Sequence, residues 1–219
     1  MKTPILYSFK RCPYAMRARM AIKLANISCE IREIKLNNKP DHMLEVSPKG
    51  TVPVLILENK IIDESNEIIK WALDQVDVFE GNLNKYELNL SEELINIFDV
   101  KFKFHLDRYK YANRYDDFSK KDHRSECMKI LDELNKRISN KKWIFGKNIN
   151  KLDISILPFI RQFRIADPKW FDDQTSIPNI KRILKNFFES KLLKETMINY
   201  KVWEEGSKPV YFPTLNSSD

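Results

Sequence analysis

Residues 4–26, PILYSFKRCPYAMRARMAIKLAN, carry the reading of the fold. PILYSF (4–9) is a short apolar run with aromatic and β-prone residues, the pattern of a buried strand. CPYAMRARMAIKLAN (12–26) follows almost at once and is made of good helix formers. Pro13 stands at the first helical position, where its missing N–H costs nothing, and Asn26 stands near the end. A strand therefore hands the chain directly to a helix, and Cys12 sits at the junction.

Working outward, CEIREIKL (29–36) offers Ile31, Ile34 and Leu36 for burial and reads as a second strand. After a linker, TVPVLIL (51–57) and KIID (60–63) read as two strands of an antiparallel hairpin turning at Glu58 and Asn59. Residues 64–75 read as a helix with Ile68, Ile69, Trp71, Ala72 and Leu73 on its apolar side. Strand–helix–strand followed by strand–strand–helix predicts a mixed sheet with helices packed on it. Beyond Val78 the strand signals stop, and 88–111, 120–139, 152–166, 177–189 and 192–202 all show helical apolar spacing. The expected class is α/β plus all-α: a mixed-sheet domain over 1–77, a linker over 78–87 and an all-helical domain over 88–219. Pro158 is expected to kink its helix, and Asn150 with Asp153 resembles a capping box. The tail GSKPVYFPTLNSSD reads as an irregular packing segment.

Composition excludes several functions. At 219 residues, 42% hydrophobic and 32% charged, the chain is large and apolar enough to bury a core. It has no apolar run long enough for a membrane span, and its first residues lack a signal peptide's pattern, so a cytoplasmic protein without membrane contact is expected. The four glycines, Gly50, Gly81, Gly146 and Gly206, are too far apart for a glycine-rich phosphate loop. Cys12, Cys29 and Cys127 form no C-x-x-C pair, and His42, His105 and His123 form no H-E-x-x-H, so no metal is expected. The net charge of +7 divides into +2 over 1–77 and +5 over 78–219. So diffuse an excess describes a basic surface and not a nucleic-acid arm.

Three places could carry chemistry. Cys12 falls at a helix N-terminus, beside unpaired N–H groups and the positive end of the helix dipole. Both favour thiolate and can bring a cysteine pKa from ~8.5 into the range ~3.5–7.5. Lys10, Arg11 and Arg17 lie close by in sequence. Cys29 and Cys127 read as packing residues. The Val52-Pro53 bond can be cis or trans at modest cost; cis would turn the Val52 backbone toward an extended peptide ligand. Ser65 reads as the N-cap of a helix whose free amides suit a carboxylate, with Glu64 beside it to hold an ammonium.

Taken together, LYSFKRCPYAMRARMAI (6–22), SPKGTVPVLIL (47–57) and the DES after IID (61–65) resemble the glutathione S-transferase superfamily. The C-P-Y-A form is similar to its cysteine-type, omega-like branch, and WIFG (143–146) with the NKLD helix start is similar to that superfamily's helical domain. The resemblance implies a thioredoxin-like N-terminal domain, glutathione as co-substrate, and a homodimer. It implies Cys12 as the catalytic cysteine that forms a mixed disulfide with glutathione, flanked by Tyr14. It implies that Val52, before a cis Pro53, pairs with the cysteinyl part of glutathione. Glu64 and Ser65 would then bind the γ-glutamyl end, and Lys39 the glycine carboxylate. Ala15 replaces the second cysteine of a dithiol redoxin, so a second glutathione must resolve the intermediate. The expected activity is glutathione-dependent thiol transfer to a small-molecule or protein disulfide. Its rivals are conjugation of hydrophobic electrophiles and a binding or regulatory protein without turnover.

Overall fold

The structure, a computed structural model, describes residues 2–76, 79, 83–115, 119–138 and 140–214. The chain divides into two compact units, Met1–Val78 with Ser190–Asp219, and Phe79–Glu189.

The first unit begins with β1 (Ile5–Ser8), α1 (Pro13–Leu24) and β2 (Cys29–Glu33), with β1 and β2 parallel. A short α2 (Asp41–Val46) then leads to β3 (Val54–Ile56), β4 (Ile61–Ile62) and α3 (Ser65–Leu73). β3 runs antiparallel to β1, pairing Leu6 with Leu55, and β4 returns antiparallel to β3. The strand–helix–strand and hairpin order is thus as the sequence predicts, with strands shorter at their ends. α2 falls in the stretch read as linker; six residues are too few to display a helical period. α1 is buried on nearly every side because it packs against α3 as well as the sheet. Its alanines at 15, 18 and 21 permit that close approach, and its Arg17 and Arg19 are carried into the interior with it.

The second unit is helical among its described residues: α4 (Lys85–Ile97), a π-helical turn (Phe98–Phe102), α5 (Lys103–Lys110), α6 (Lys120–Arg137), α7 (Lys151–Ala166), α8 (Pro168–Asp173) and α9 (Pro178–Glu189). Much of the expected 78–87 linker lies outside the described residues, and α4 already begins at Lys85. Phe98, Phe102, Phe159 and Phe163 are buried together, Phe98 stacking on Phe102 with centroids 4.5 Å apart. Burying four such rings contributes several kcal/mol at ~25 cal/mol per Å². α7 continues past Pro158 to Ala166. Asn150 and Asp153 form the reciprocal capping box that their spacing suggests.

The chain then returns to the first unit through α10 (Lys191–Thr196), which packs on α1, and β5 (Tyr211–Phe212), which pairs antiparallel with β2. The completed sheet has the order β4-β3-β1-β2-β5. This corrects the expected assignment of 88–219 to one helical domain: residues from Ser190 onward belong with the sheet. The physical reason is edge pairing. Cys29 and Glu30 on β2 take Phe212 and Tyr211 as partners, and Trp203 N–H donates to the Glu33 carbonyl at 2.8 Å. Among the described residues, no helix is long and apolar enough to cross a membrane.

Candidate active site

The turn from β1 into α1 sets the position of Cys12. Its N–H donates to the Phe9 carbonyl at 3.0 Å, and its carbonyl accepts from the Met16 N–H at 2.9 Å. Cys12 is the N-cap of α1 in extended geometry (φ −72°, ψ 123°), and its side chain makes no capping bond. The sulfur is left at the start of the helix, where Pro13 contributes no N–H. It donates as a thiol to the Val52 carbonyl at 3.6 Å. β1 and β3 are neighbours in the sheet, and that adjacency brings the two expected residues together. The Val52-Pro53 bond is cis. Cys12 also packs at the margin of the cluster formed by Tyr7, Ala15, Ile34, Met43, Val52 and Val54.

The other two cysteines are buried. Desolvation pushes the Cys29 thiol up to about 12 and raises that of Cys127 as well. Native-state iodoacetamide at mildly alkaline pH should therefore modify Cys12 at least about tenfold faster than either, read by mass spectrometry of the three cysteine peptides. Comparable labelling of Cys29 or Cys127 would contradict this geometry.

The α3 end differs from expectation in one detail. Glu64, not Ser65, is the N-cap of α3, and it makes no side-chain capping bond. Ser65 is the first helical residue and is buried; its Oγ accepts from Arg17 Nε at 2.9 Å. The Arg17 guanidinium also lies over the Tyr14 ring, 5.0 Å from its centroid. One arginine thus connects the start of α1, with Tyr14, to the start of α3. Glu64 pairs with Lys49, whose ammonium it stabilises, raising the lysine above its usual value. Beside it, Ser47 Oγ donates to Asp63 at 2.8 Å. Lys39 lies against the same loop, with Nζ 3.6 Å from where a Cβ on Gly50 would stand. Gly50 itself needs to be glycine, with φ +62° and a Leu44 methyl 3.3 Å from that Cβ position.

The structure therefore brings Cys12 to Val52, and ties Tyr14 to Ser65 through Arg17. It places Glu64 beside Lys49, and Lys39 on the loop that carries Lys49 and Gly50. Lys49 has no place in the sequence-based site, because its partner is found across a hairpin and no local spacing marks it.

Residues 6–78 match the family model described as the N-terminal domain of glutathione S-transferase. That span runs from β1 through α3 and includes every candidate site residue. Over that span the chain is a glutathione S-transferase N-terminal domain. Glutathione S-transferase omega-1 of Rattus norvegicus is 26% identical over 209 residues, 91% of this chain and 83% of that protein. Among solved structures, a glutathione transferase family member from Pseudomonas fluorescens, with two glutathione bound, superposes with a TM-score of 0.76 at 15% identity, over 89% of this chain and 92% of that one. Glutathione transferase Omega 3C from Trametes versicolor gives 0.75 at 16% identity, over 92% and 91%. At these identities the structural likeness is one of fold, and the two-part glutathione S-transferase architecture is the fold of this chain. Within the superfamily the omega-like resemblance is carried by Cys12-Pro13-Tyr14-Ala15, in the place the structure gives it at the head of α1.

Proposed function

We propose that this protein is a glutathione-dependent thiol transferase of the glutathione S-transferase superfamily, with Cys12 as its single nucleophile. The observation that carries the reading is the placement of Cys12. Of three cysteines it alone is partly exposed, and it stands at the start of a long helix with no capping duty. In the first step the Cys12 thiolate attacks the glutathionyl sulfur of a mixed disulfide. The Cys12–glutathione disulfide forms as the old S–S bond breaks, and the substrate leaves as its thiolate. In the second step a glutathione thiolate attacks that sulfur, Cys12 departs as thiolate, and oxidised glutathione is released. Ala15 stands where a resolving cysteine would be, so the second step is intermolecular.

Glutathione recognition is assigned to the residues around the thiol. The Val52 backbone, next to the sulfur, pairs with the cysteinyl part by strand addition. The first amides of α3 and the buried Ser65 hydroxyl receive the γ-glutamyl carboxylate, and Glu64 holds the amino group. Lys49 pairs with Glu64, so the incoming ammonium shares or replaces that partner. Lys39 takes the glycine carboxylate, and Tyr14 flanks the thiol. Cys12 bonds to the glutathione sulfur instead of holding glutathione as a free thiolate, which makes conjugation of carbon electrophiles the weaker activity. The cytoplasmic setting and the homodimer belong to this proposal as well.

The deciding experiment is retention on immobilised glutathione followed by reduction of a glutathionylated model disulfide. Retention with turnover supports the proposal; retention without turnover favours a binding protein. Glu64→Ala and Ser65→Ala should each weaken glutathione binding by about 1–3 kcal/mol, the cost of losing a charge-assisted contact. Without ligand, Glu64→Ala should leave the melting temperature nearly unchanged, because the side chain makes no capping bond. Ser65→Ala should lower it, because buried Arg17 loses an acceptor. Unchanged glutathione affinity in both variants would remove the γ-glutamyl assignment.

A further inference from the structure

Arg19 and Glu33 are buried, at 0% and 7% exposure, and neither is among the residues assigned to glutathione. They approach with Nη1 and Oε2 3.7 Å apart, beyond hydrogen-bond range. Those two atoms and Arg19 Nε have no hydrogen-bond partner. Apart from a long contact of Arg19 Nη2 to the Met197 sulfur at 4.0 Å, the bonds the two side chains do make converge on the backbone of one residue. Glu33 Oε1 accepts from the Lys10 N–H at 2.5 Å, and Arg19 Nη2 donates to the Lys10 carbonyl at 2.9 Å. Lys10 lies inside the turn that the Cys12 N–H closes onto Phe9. Holding both polar groups of Lys10 holds that turn, and with it the direction in which Cys12 leaves the sheet.

A neutral side chain could hold a backbone group with a smaller desolvation cost. That cost is visible here: burial lowers the Arg19 guanidinium from its ordinary value and raises the Glu33 carboxyl. What a charged pair adds is an electrostatic field. Arg19 lies within electrostatic reach of Cys12, in an interior where charges are weakly screened, and Glu33 opposes it from β2. The remaining groups around the pair are accounted for. The Lys10 ammonium rests on the Asn199 side chain, and Arg17 on Ser65. The Tyr200 phenol faces Arg19, Glu33 and Cys29, while Arg11 lies over Phe9.

We propose that the buried Arg19–Glu33 pair is a positioning device for Cys12: it clamps the Lys10 turn and, by the balance of its two charges, sets how readily the Cys12 sulfur ionises. This inference rests on the reading of Cys12 as the nucleophile. The test is the pH–rate profile of iodoacetamide alkylation of full-length protein, following the Cys12 peptide by mass spectrometry. Arg19→Met removes the positive charge and should move the inflection up by about one pH unit. Glu33→Gln keeps an acceptor for the Lys10 N–H, frees the Arg19 charge, and should move the inflection down by about half a pH unit. Opposite signs distinguish a field from mere support of the fold, since loss of packing would disturb both variants alike. Shifts in the same direction, or none, overturn the proposal. If Arg19→Met fails to fold by circular dichroism, Glu33→Gln decides alone: a downward shift supports the device, and an unchanged or upward inflection overturns it. Thiol transfer with glutathione is measured in parallel. Its absence in the wild type would sink the functional reading and leave this inference to the alkylation profiles, which need no glutathione.

Discussion

Cys12→Ser is expected to lower reduction of a glutathionylated model disulfide by about a thousandfold or more, to the rate of free glutathione. A serine hydroxyl at this helix start has no tendency to ionise near neutral pH and forms no exchangeable bond to sulfur. The fold and glutathione retention should persist. The Cys12 side chain makes no capping bond, and its contact to the Val52 carbonyl, 3.6 Å long, is a weak one that a hydroxyl can replace. If half the wild-type rate remains, the nucleophile is Cys29 or Cys127 and the site is misplaced. Their burial and raised thiol pKa values make that outcome physically costly.

The largest expected loss of stability lies in the second unit. Asp153 is fully buried at the start of α7; Oδ1 accepts from the Ile144 N–H at 3.0 Å and Oδ2 from the Asn150 N–H at 2.9 Å. Asp153→Ala leaves both donors buried without this acceptor and dissolves the capping box. At about 1–3 kcal/mol for each stranded group, the expected cost is about 3 kcal/mol in urea denaturation followed by tryptophan fluorescence. Asp153→Asn keeps one acceptor and should lose about half as much. A loss under about 0.5 kcal/mol for the alanine variant would mean that the box is dispensable. Burial pushes the Asp153 carboxyl up to about 7 from its ordinary 3.8. The folded state therefore holds this proton more tightly than the unfolded one. The group's stabilising contribution is full below about pH 4 and is lost as pH rises toward about 7. The stability difference between wild type and Asp153→Asn should shrink over that interval.

The parts of this molecule that were legible in the sequence are those whose causes are local. Pro13 marks where α1 starts, so the strand-to-helix junction and the place of Cys12 follow from adjacent residues. Asn150 and Asp153 mark their own capping box at a fixed spacing of three. Ser65 shows where local rules fail. Serine is the stronger N-cap by type, yet its hydroxyl is engaged by Arg17 from another helix, and Glu64 takes the cap position instead. The Lys49–Glu64 and Arg19–Glu33 pairs have the same origin, as each is created by two elements meeting. The tail is the extreme case. Phe212 pairs with Cys29 from the far end of the chain, and a two-residue strand carries no periodicity to announce it.

That returning tail also bears on how the protein is made. Most domains condense one after another as the nascent chain emerges, the N-terminal one first. Here the first unit is split, and the whole of Phe79–Glu189 is translated before the segment that contains α10 and β5. At ~5–20 residues per second, β2 waits on the order of ten seconds for its outer partner. During that interval the strand presents an unoccupied hydrogen-bonding rim, the kind of surface on which extended chains self-associate. The rim is closed only when Tyr211 and Phe212 have left the ribosome and paired with Glu30 and Cys29.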